Sequence, residues 1–241
     1  MAIDIFPKAW SIVPPITAKS IPGHSLCPRH GFLFDGAVVD IVRGVRGTPA
    51  GTPGTVLWSS SAVKRYPGKA REHSGISDFD QLGLDSLLLP TGPISIVLGY
   101  QKTDTTNRNS VAFGTEGAAA NACHAYLPHS ASAAVIFDYG GEGGGNRISA
   151  GIPTAGDDIW TFTVGVRGME MWQNYALLAS NANNNTRTQG GVQFQLGRKL
   201  PGPVESDFAK FKFMWIYHYQ LTTRQIYEIV SWPFQWVDPR P

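Results

Sequence analysis

The chain has 241 residues, 42% of them hydrophobic and only 16% charged, with 27 glycines and 17 prolines. A formal net charge of +2 without any Lys/Arg run excludes a nucleic-acid-binding surface. The apolar content excludes a disordered chain, and the low charge with abundant Gly and Pro excludes an assembly of long exposed helices.

Residues 1–30 carry Pro7, Pro14, Pro15, Pro22 and Pro28. Proline removes a backbone donor, so this segment predicts an extended arm rather than a helix or central strand. From Gly31 the pattern becomes strand-like. Phe32–Phe34 is followed by an Asp35-Gly36 turn and a second apolar run, Val38–Val42. Glycines and prolines mark residues 43–55 as a loop, and Val56–Trp58 reads as a short strand. The polar, basic stretch 59–75 reads as loop, with Lys64 to Arg71 solvated. Residues 76–89 hold Phe79, Leu82, Leu84 and Leu87–Leu89, which predict short strands near a turn.

Ile94–Tyr100 is the clearest strand of the first half. Residues 101–110 are polar, 110–114 strand-like, and 117–125 small and Ala-rich. Ala133–Tyr139 is a strand that ends at Gly140–Gly145, and Arg147–Ala150 follows. The last third contains strand-like runs at Asp157–Gly165, Gly168–Asn174, Val192–Gly197 and Phe211–Tyr217. One helix is predicted, Thr222–Val230, with Thr222 or Thr223 as its N-cap and Pro233 barring continuation.

Many short strands with turn signals between them predict an all-β protein, a two-sheet antiparallel sandwich with one short C-terminal helix. A single domain over residues 31–241 follows the arm. Trp160, Phe162, Phe194, Phe211, Phe213, Trp215 and Tyr217 are expected to fill the core between the sheets.

The order Trp172-Gln173-Asn174, Leu196-Gly197, Phe211–Tyr217 and Leu221-Thr222-Thr223-Arg224-Gln225-Ile226 resembles the concanavalin A-like lectin and laminin-G-like jelly rolls. The ending Trp232-Pro233-Phe234-Gln235-Trp236 is similar to the tail of bacteriophage-borne members. The resemblance spans roughly residues 90–238 and, more weakly, 30–60. Tyr175 stands where the family's hairpin has Gly after Asn. Because an Asn-Gly turn needs positive φ at both residues, the hairpin is expected to be longer or of another type.

The resemblance implies a non-enzymatic structural virion protein of a phage: capsid decoration, head fibre or tail fibre. Its arm would join other virion proteins or further copies of the chain. The absence of a leader-like N-terminus agrees with a protein made in the host cytoplasm and placed on the virion. No apolar run reaches membrane-spanning length, so the expected chain is soluble with no membrane insertion. The alternative is a carbohydrate-binding module or lectin, with Trp172, Tyr175, Asn183, Asn184 and Asn185 as candidate sugar contacts, since amides both donate to and accept from hydroxyls.

A polysaccharide-degrading enzyme ranks last. The paired carboxylates of a Glu-x-Asp-x-x-Glu strand are absent, and Glu170 is expected to face solvent, opposite Met169 and Met171. No catalytic residue and no cofactor is expected. Calcium ligands are conceivable at Asp138, at Asp157-Asp158, or at Asp104 with Asn107 and Asn109, but no Asp-x-Asp-x-Asp-Gly loop accompanies them. His24, His30, His73, His124, His129 and His218 show no zinc-binding spacing, and His218 is expected at a surface or rim. Cys27 and Cys123 can pair by arithmetic, but the favoured reading is two free, buried thiols.

Overall fold

The computed structural model describes residues 26–34, 38, 40–50, 54–57, 69–73, 79–85, 89–102, 111–115, 119–129, 134–151, 157–188, 193–197 and 209–236. The expected arm lies outside these residues, apart from 26–30. The described strands are β1 (His30–Leu33), β2 (Thr48–Ala50), β3 (Gly54–Leu57), β4 (Lys69–His73), β5 (Phe79–Asp85), β6 (Ile94–Lys102), β7 (Val111–Thr115) and β8 (Cys123–His129). They continue with β9 (Ala134–Tyr139), β10 (Arg147–Gly151), β11 (Asp157–Gly165), β12 (Gly168–Gln173), β13 (Ala176–Asn181), β14 (Gln193–Leu196) and β15 (Ala209–Tyr217), followed by helix α1 (Thr223–Ser231).

The strands form two antiparallel sheets stacked as a sandwich. The eight-stranded sheet runs β13-β12-β11-β6-β15-β4-β3, with β1 also on β15. The seven-stranded sheet runs β10-β9-β8-β7-β14-β5-β2. One edge of β15 is shared: β4 pairs Ala209–Phe211, and β1 pairs Phe213–Ile216. Its other edge pairs β6 along nearly its whole length.

Alternation along the strands builds the core between the sheets. Ile94, Ile96, Leu98 and Tyr100 of β6 meet Trp160, Phe162 and Val164 of β11 on one side. Phe113, Phe137, Tyr139 and Phe194 face them from the other sheet. Phe137 and Phe162 have ring centroids 5.1 Å apart, so the two sheets touch through aromatic rings.

The aromatic run of β15 does not all point into this core. Phe211 is opposite Tyr100 but Phe213 is opposite Gly99, so Lys212 is an extra residue, a β-bulge. One extra residue inverts the side-chain alternation of everything after it. Met214 and Ile216 therefore face the other sheet, while Phe213, Trp215 and Tyr217 face outward. The expectation that all seven aromatics fill the inter-sheet core is corrected by this bulge.

The outward aromatics are covered by the C-terminal segment. Helix α1 lays down Ile226, Ile229 and Val230, and the tail adds Phe234 and Trp236. Trp236 stands edge-on to Trp215 at 4.9 Å, and the Trp215 indole N–H donates to the Pro233 carbonyl at 2.9 Å. Thr222 caps the helix as expected: its hydroxyl accepts from the Gln225 amide while the Gln225 side chain accepts from the Thr222 amide. Leu26 joins the same cluster, and the Tyr217 hydroxyl donates to its carbonyl.

Several local expectations change. The run expected as a strand at Val38–Val42 turns instead over residues 41–43. Asp40 turns the chain there, because its carboxylate accepts from the amides of Gly31, Val42 and Arg43. Residues 69–73, expected as loop, form β4, and Arg71 is buried in a two-pronged ion pair with Asp80 of the facing sheet. The Ala-rich stretch leads into β8, whose inward residues Cys123, Ala125 and Leu127 have the alternation that composition hides. Neither cysteine is in a disulfide: Cys123 is buried between the sheets, and Cys27 lies half-buried against the outer cluster.

Two glycines make room for the outer cluster. A Cβ on Gly99 would stand 2.6 Å from the Phe213 ring, and one on Gly31 would stand 2.8 Å from Trp236. Gly99→Ala is expected to destabilise the fold by about 1–3 kcal/mol through overpacking. At Gly92 a Cβ meets nothing within 4 Å, so Gly92→Ala should change stability by less than about 0.5 kcal/mol. Urea unfolding midpoints of the two variants test the difference.

Candidate functional site

The β12–β13 hairpin turns in two residues, Asn174 and Tyr175. Asn174 has φ 53°, and it is the only non-glycine with positive φ among the described residues. Positive φ at the first turn position alone belongs to a type II′ turn, so the hairpin is of another type than Asn-Gly but no longer. Asn174 is locked in place. Its side-chain oxygen accepts from the Ile159 amide at 3.0 Å, and its amide donates to Asp158 at 2.8 Å. Asp158 also accepts from Gln173. This aspartate, the second residue of β11, therefore braces the turn.

The turn lifts Tyr175 against the exposed face of α1. Residues 224, 227, 228 and 231 share that face by helical periodicity, opposite the buried Ile226, Ile229 and Val230. Tyr227 stands edge-on to Tyr175 at 5.6 Å and to Trp172 at 6.2 Å. Tyr175 and Tyr227 are 50% and 43% exposed, whereas Trp172 is only 5% exposed. Trp172 thus supports the tyrosines from beneath rather than forming a platform itself.

Beside them runs an open groove of about 670 Å³ lined by Thr223, Arg224, Tyr227, Glu228, Ser231 and Gln235. Ser231 donates to the Tyr227 carbonyl at 2.7 Å, which leaves its oxygen to accept from the Tyr175 hydroxyl at 3.2 Å. Arg224 and Glu228 pair at 2.8 Å, one helical turn apart. The Gln235 side-chain nitrogen is buried with no hydrogen-bond partner. The groove therefore offers the half-exposed Tyr227 ring, with Tyr175 packed edge-on to it, beside hydroxyl, amide, guanidinium and carboxylate groups.

Asn183, Asn184 and Asn185 lie elsewhere. They follow β13 at the end where Asn181 pairs Met169, about 20 Å of strand away from the hairpin turn. Asn183 and Asn185 both donate to the Gly145 carbonyl at 2.8 Å, and Asn181 reaches it at 3.4 Å. Asn184 is exposed. The structure brings Trp172 and Tyr175 together and keeps the asparagine loop apart, spending two of its three candidate amides on the glycine loop. Tyr227, Glu228, Ser231 and Gln235 were missed in the sequence. Projecting the predicted helix at 100° per residue separates Tyr227 and Glu228 from the apolar stripe, whereas Ser231 lies one residue beyond its predicted end.

The glycine loop is itself anchored. Asp138 accepts from the Gly143 amide, from both prongs of Arg147 at 2.7 Å, and from His124 at 2.9 Å. Glu170, expected in solvent, is instead buried on the outer face. Arg167 grips it at 3.0 Å, and Thr163 and Trp172 donate to it. No group of three or more His, Cys, Asp or Glu side chains suited to a metal occurs among the described residues.

No protein-family model matches the sequence, and no curated protein matches it. Solved structures do match in fold. Domain 4 of AbnA, an extracellular GH43 arabinanase from Geobacillus stearothermophilus solved in complex with arabinotriose, aligns at 16% identity with a TM-score of 0.58. The alignment covers 85% of this chain and 98% of that one. The botulinum neurotoxin serotype G binding domain aligns at 11% identity and TM-score 0.58, covering 85% of this chain and 50% of that one. A Trypanosoma rangeli sialidase in complex with the inhibitor DANA aligns at 13% and 0.55, covering 83% and 32%. The chain thus spans nearly all of the arabinanase domain, half of the toxin chain and a third of the sialidase. The shared feature is the two-sheet antiparallel β-sandwich.

Burial alone would raise the Asp138 carboxyl, but the hydrogen bonds and charges of His124 and Arg147 outweigh it and hold the pKa at about 2. A folded pKa below the unfolded value stabilises the fold above the unfolded value. That stability is lost as pH falls from about 4 through about 2. Asp138→Asn should remove about 1–2 kcal/mol near neutrality, allowing for the partly exposed Arg147. The gap between variant and parent should close in acid, which urea midpoints across this pH range would show.

Proposed function

We propose that this chain is a non-enzymatic carbohydrate-binding domain that takes a neutral glycan in the groove along the exposed face of α1, beside the Tyr175–Tyr227 pair. The paired, half-exposed tyrosines carry the reading. Tyrosine faces stack on the apolar face of a sugar ring at low entropic cost, while the surrounding Ser231, Gln235 and Glu228 suit its hydroxyls. The groove's one cation, Arg224, is matched by Glu228, so the lining favours no net charge on the ligand. The ligand of the arabinanase domain supports the reading from the side of the fold, where likeness alone does not assign function.

The engagement of the buried carboxylates supports the absence of catalysis. Asp40, Asp80, Asp138 and Glu170 are each held by a histidine or arginine. None is left to act as one of two carboxylates flanking a glycosidic bond. Placement of the domain on a phage particle through the Pro-rich residues 1–25 is part of the same proposal and rests on the sequence resemblance. Deleting those residues should abolish particle attachment and spare glycan binding.

Calorimetric titration with arabinotriose, alongside a glycan array, tests the groove. Tyr227→Ala is expected to weaken binding of any recognised glycan at least tenfold, about 1.4 kcal/mol, and Tyr175→Phe to have a smaller effect. A well-folded protein that binds no glycan, or that binds equally well as Tyr227→Ala, would overturn the assignment.

A further inference from the structure

The start of β1, the Asp40 turn and the end of β15 bring four basic side chains, Arg29, His30, Arg43 and His218, into one neighbourhood. The Arg29 amide donates to the Ile216 carbonyl at 2.8 Å, which sets Arg29 beside the chain leading to His218. One carboxylate oxygen of Asp40 accepts from the amides of both Gly31 and Arg43, at 3.1 and 3.2 Å. Arg43 is thereby held close to the strand start that carries Arg29. The rings of His30 and His218 pack with centroids 5.4 Å apart. Asp40 itself is buried and fully engaged, since one oxygen takes three backbone amides and the other takes the His30 ring at 2.8 Å. Arg29 and Arg43 are exposed, and neither pairs with a carboxylate among the described residues. His218 registers the resulting field: burial and the charges of His30, Arg29 and Arg43 hold its pKa down to about 4, with no carboxylate among the opposing influences. Tyr219, next in the chain, is 37% exposed.

We propose that Arg29 and Arg43 form a second binding surface, one that takes the sulfate, phosphate or carboxylate substituent of an acidic glycan. Guanidinium groups are weakly hydrated, and their forked N–H donors match the geometry of such oxyanions. Two of them left exposed without an acid partner make a positive patch that an anion complements. The exposed Tyr219 ring gives a sugar a face to rest on, which argues for a saccharide carrier over a peptide. The surface shares no residue with the α1 groove, where Arg224 is already matched by Glu228, and it does not depend on that assignment. His218 gives the site a signature. An anion beside Arg29 and Arg43 offsets the charges that depress the imidazole, so the ring takes up a proton more readily when the site is filled. Binding therefore tightens as pH falls from about 6.5 through about 4.

The experiment titrates the full chain with a sulfated disaccharide, its unsulfated parent and an acidic hexapeptide by calorimetry. Inorganic sulfate, which keeps its charge across this pH range, serves as the probe for the imidazole resonances. The sulfated sugar is expected to bind at least tenfold more tightly than its parent, and sulfate to raise the His218 titration midpoint. In Arg29→Gln/Arg43→Gln the preference for the sulfated sugar should vanish. Its His218 midpoint should start higher and no longer respond to sulfate, while arabinotriose binding stays as in the parent and circular dichroism confirms the fold. Arg43→Gln alone keeps the backbone amide that Asp40 accepts and should show part of the loss. A sulfated sugar bound no more tightly than its parent would overturn the site, as would a double variant that keeps the preference or a His218 midpoint that sulfate leaves in place. An acidic hexapeptide bound more tightly than the sulfated sugar would overturn the saccharide carrier.

Discussion

The structure depends on β15 serving two hydrophobic layers at once. A nine-residue strand at the centre of a sheet ordinarily contributes one apolar face to a core and leaves the other to solvent. The sequence Phe211-Lys212-Phe213-Met214-Trp215-Ile216-Tyr217 is apolar on both faces, so both need cover. The bulge at Lys212 decides which residues go where, sending Phe211, Met214 and Ile216 inward and Phe213, Trp215 and Tyr217 outward. The C-terminal helix and tail then become a third layer, without which three large aromatics would form an exposed patch. The candidate groove is a by-product of that layer, because α1 carries its polar face outward beside the β12–β13 hairpin.

Polar contacts in the molecule follow a common pattern. Buried carboxylates are each assigned to a cation or imidazole: Asp40 to His30, Asp80 to Arg71 and His73, Asp138 to His124 and Arg147, and Glu170 to Arg167. The Asp80 cluster bridges the two sheets inside the sandwich. Burial works against its charge, yet the bonds from His73 and Arg71 bring its pKa below the ordinary value. Such pairs add little net stability over apolar packing, but they penalise wrong register heavily, since a displaced partner leaves a buried charge unmatched.

Sandwich class, the central strands and the capped helix were legible in the sequence because they rest on local signals. Ile94–Tyr100 and Asp157–Gly165 alternate, and Thr222, Gln225 and Pro233 mark helix ends by their own chemistry. β8 was hidden because its inward positions are small. β4 was hidden because Arg71 reads as solvated until Asp80 is known to face it from the other sheet. The outward turn of Trp215 depends on register with Gly99, a non-local fact that no periodicity within β15 reports. For the site, Tyr175 was visible as a departure from an expected turn. Tyr227 entered only once the helix was docked beside that turn. The asparagine run looked more available than it is, since nothing in its own sequence shows the Gly145 carbonyl that engages it.

The placement of β15 also bears on how the molecule is made. β6 ends at Lys102 and β15 begins at Ala209, so a chain emerging from the ribosome holds β6 without one of its neighbours for more than a hundred residues. During that interval the apolar edge of β6 is open to other chains, and β11 can pair it on one side only. Closure of the sheet waits for β15, and burial of Trp215 waits for the helix after it. Folding is therefore governed by contacts of long sequence separation, which slows the search and lengthens exposure to aggregation. Recombinant yield should accordingly depend on temperature and synthesis rate more than the stability of the finished sandwich would suggest.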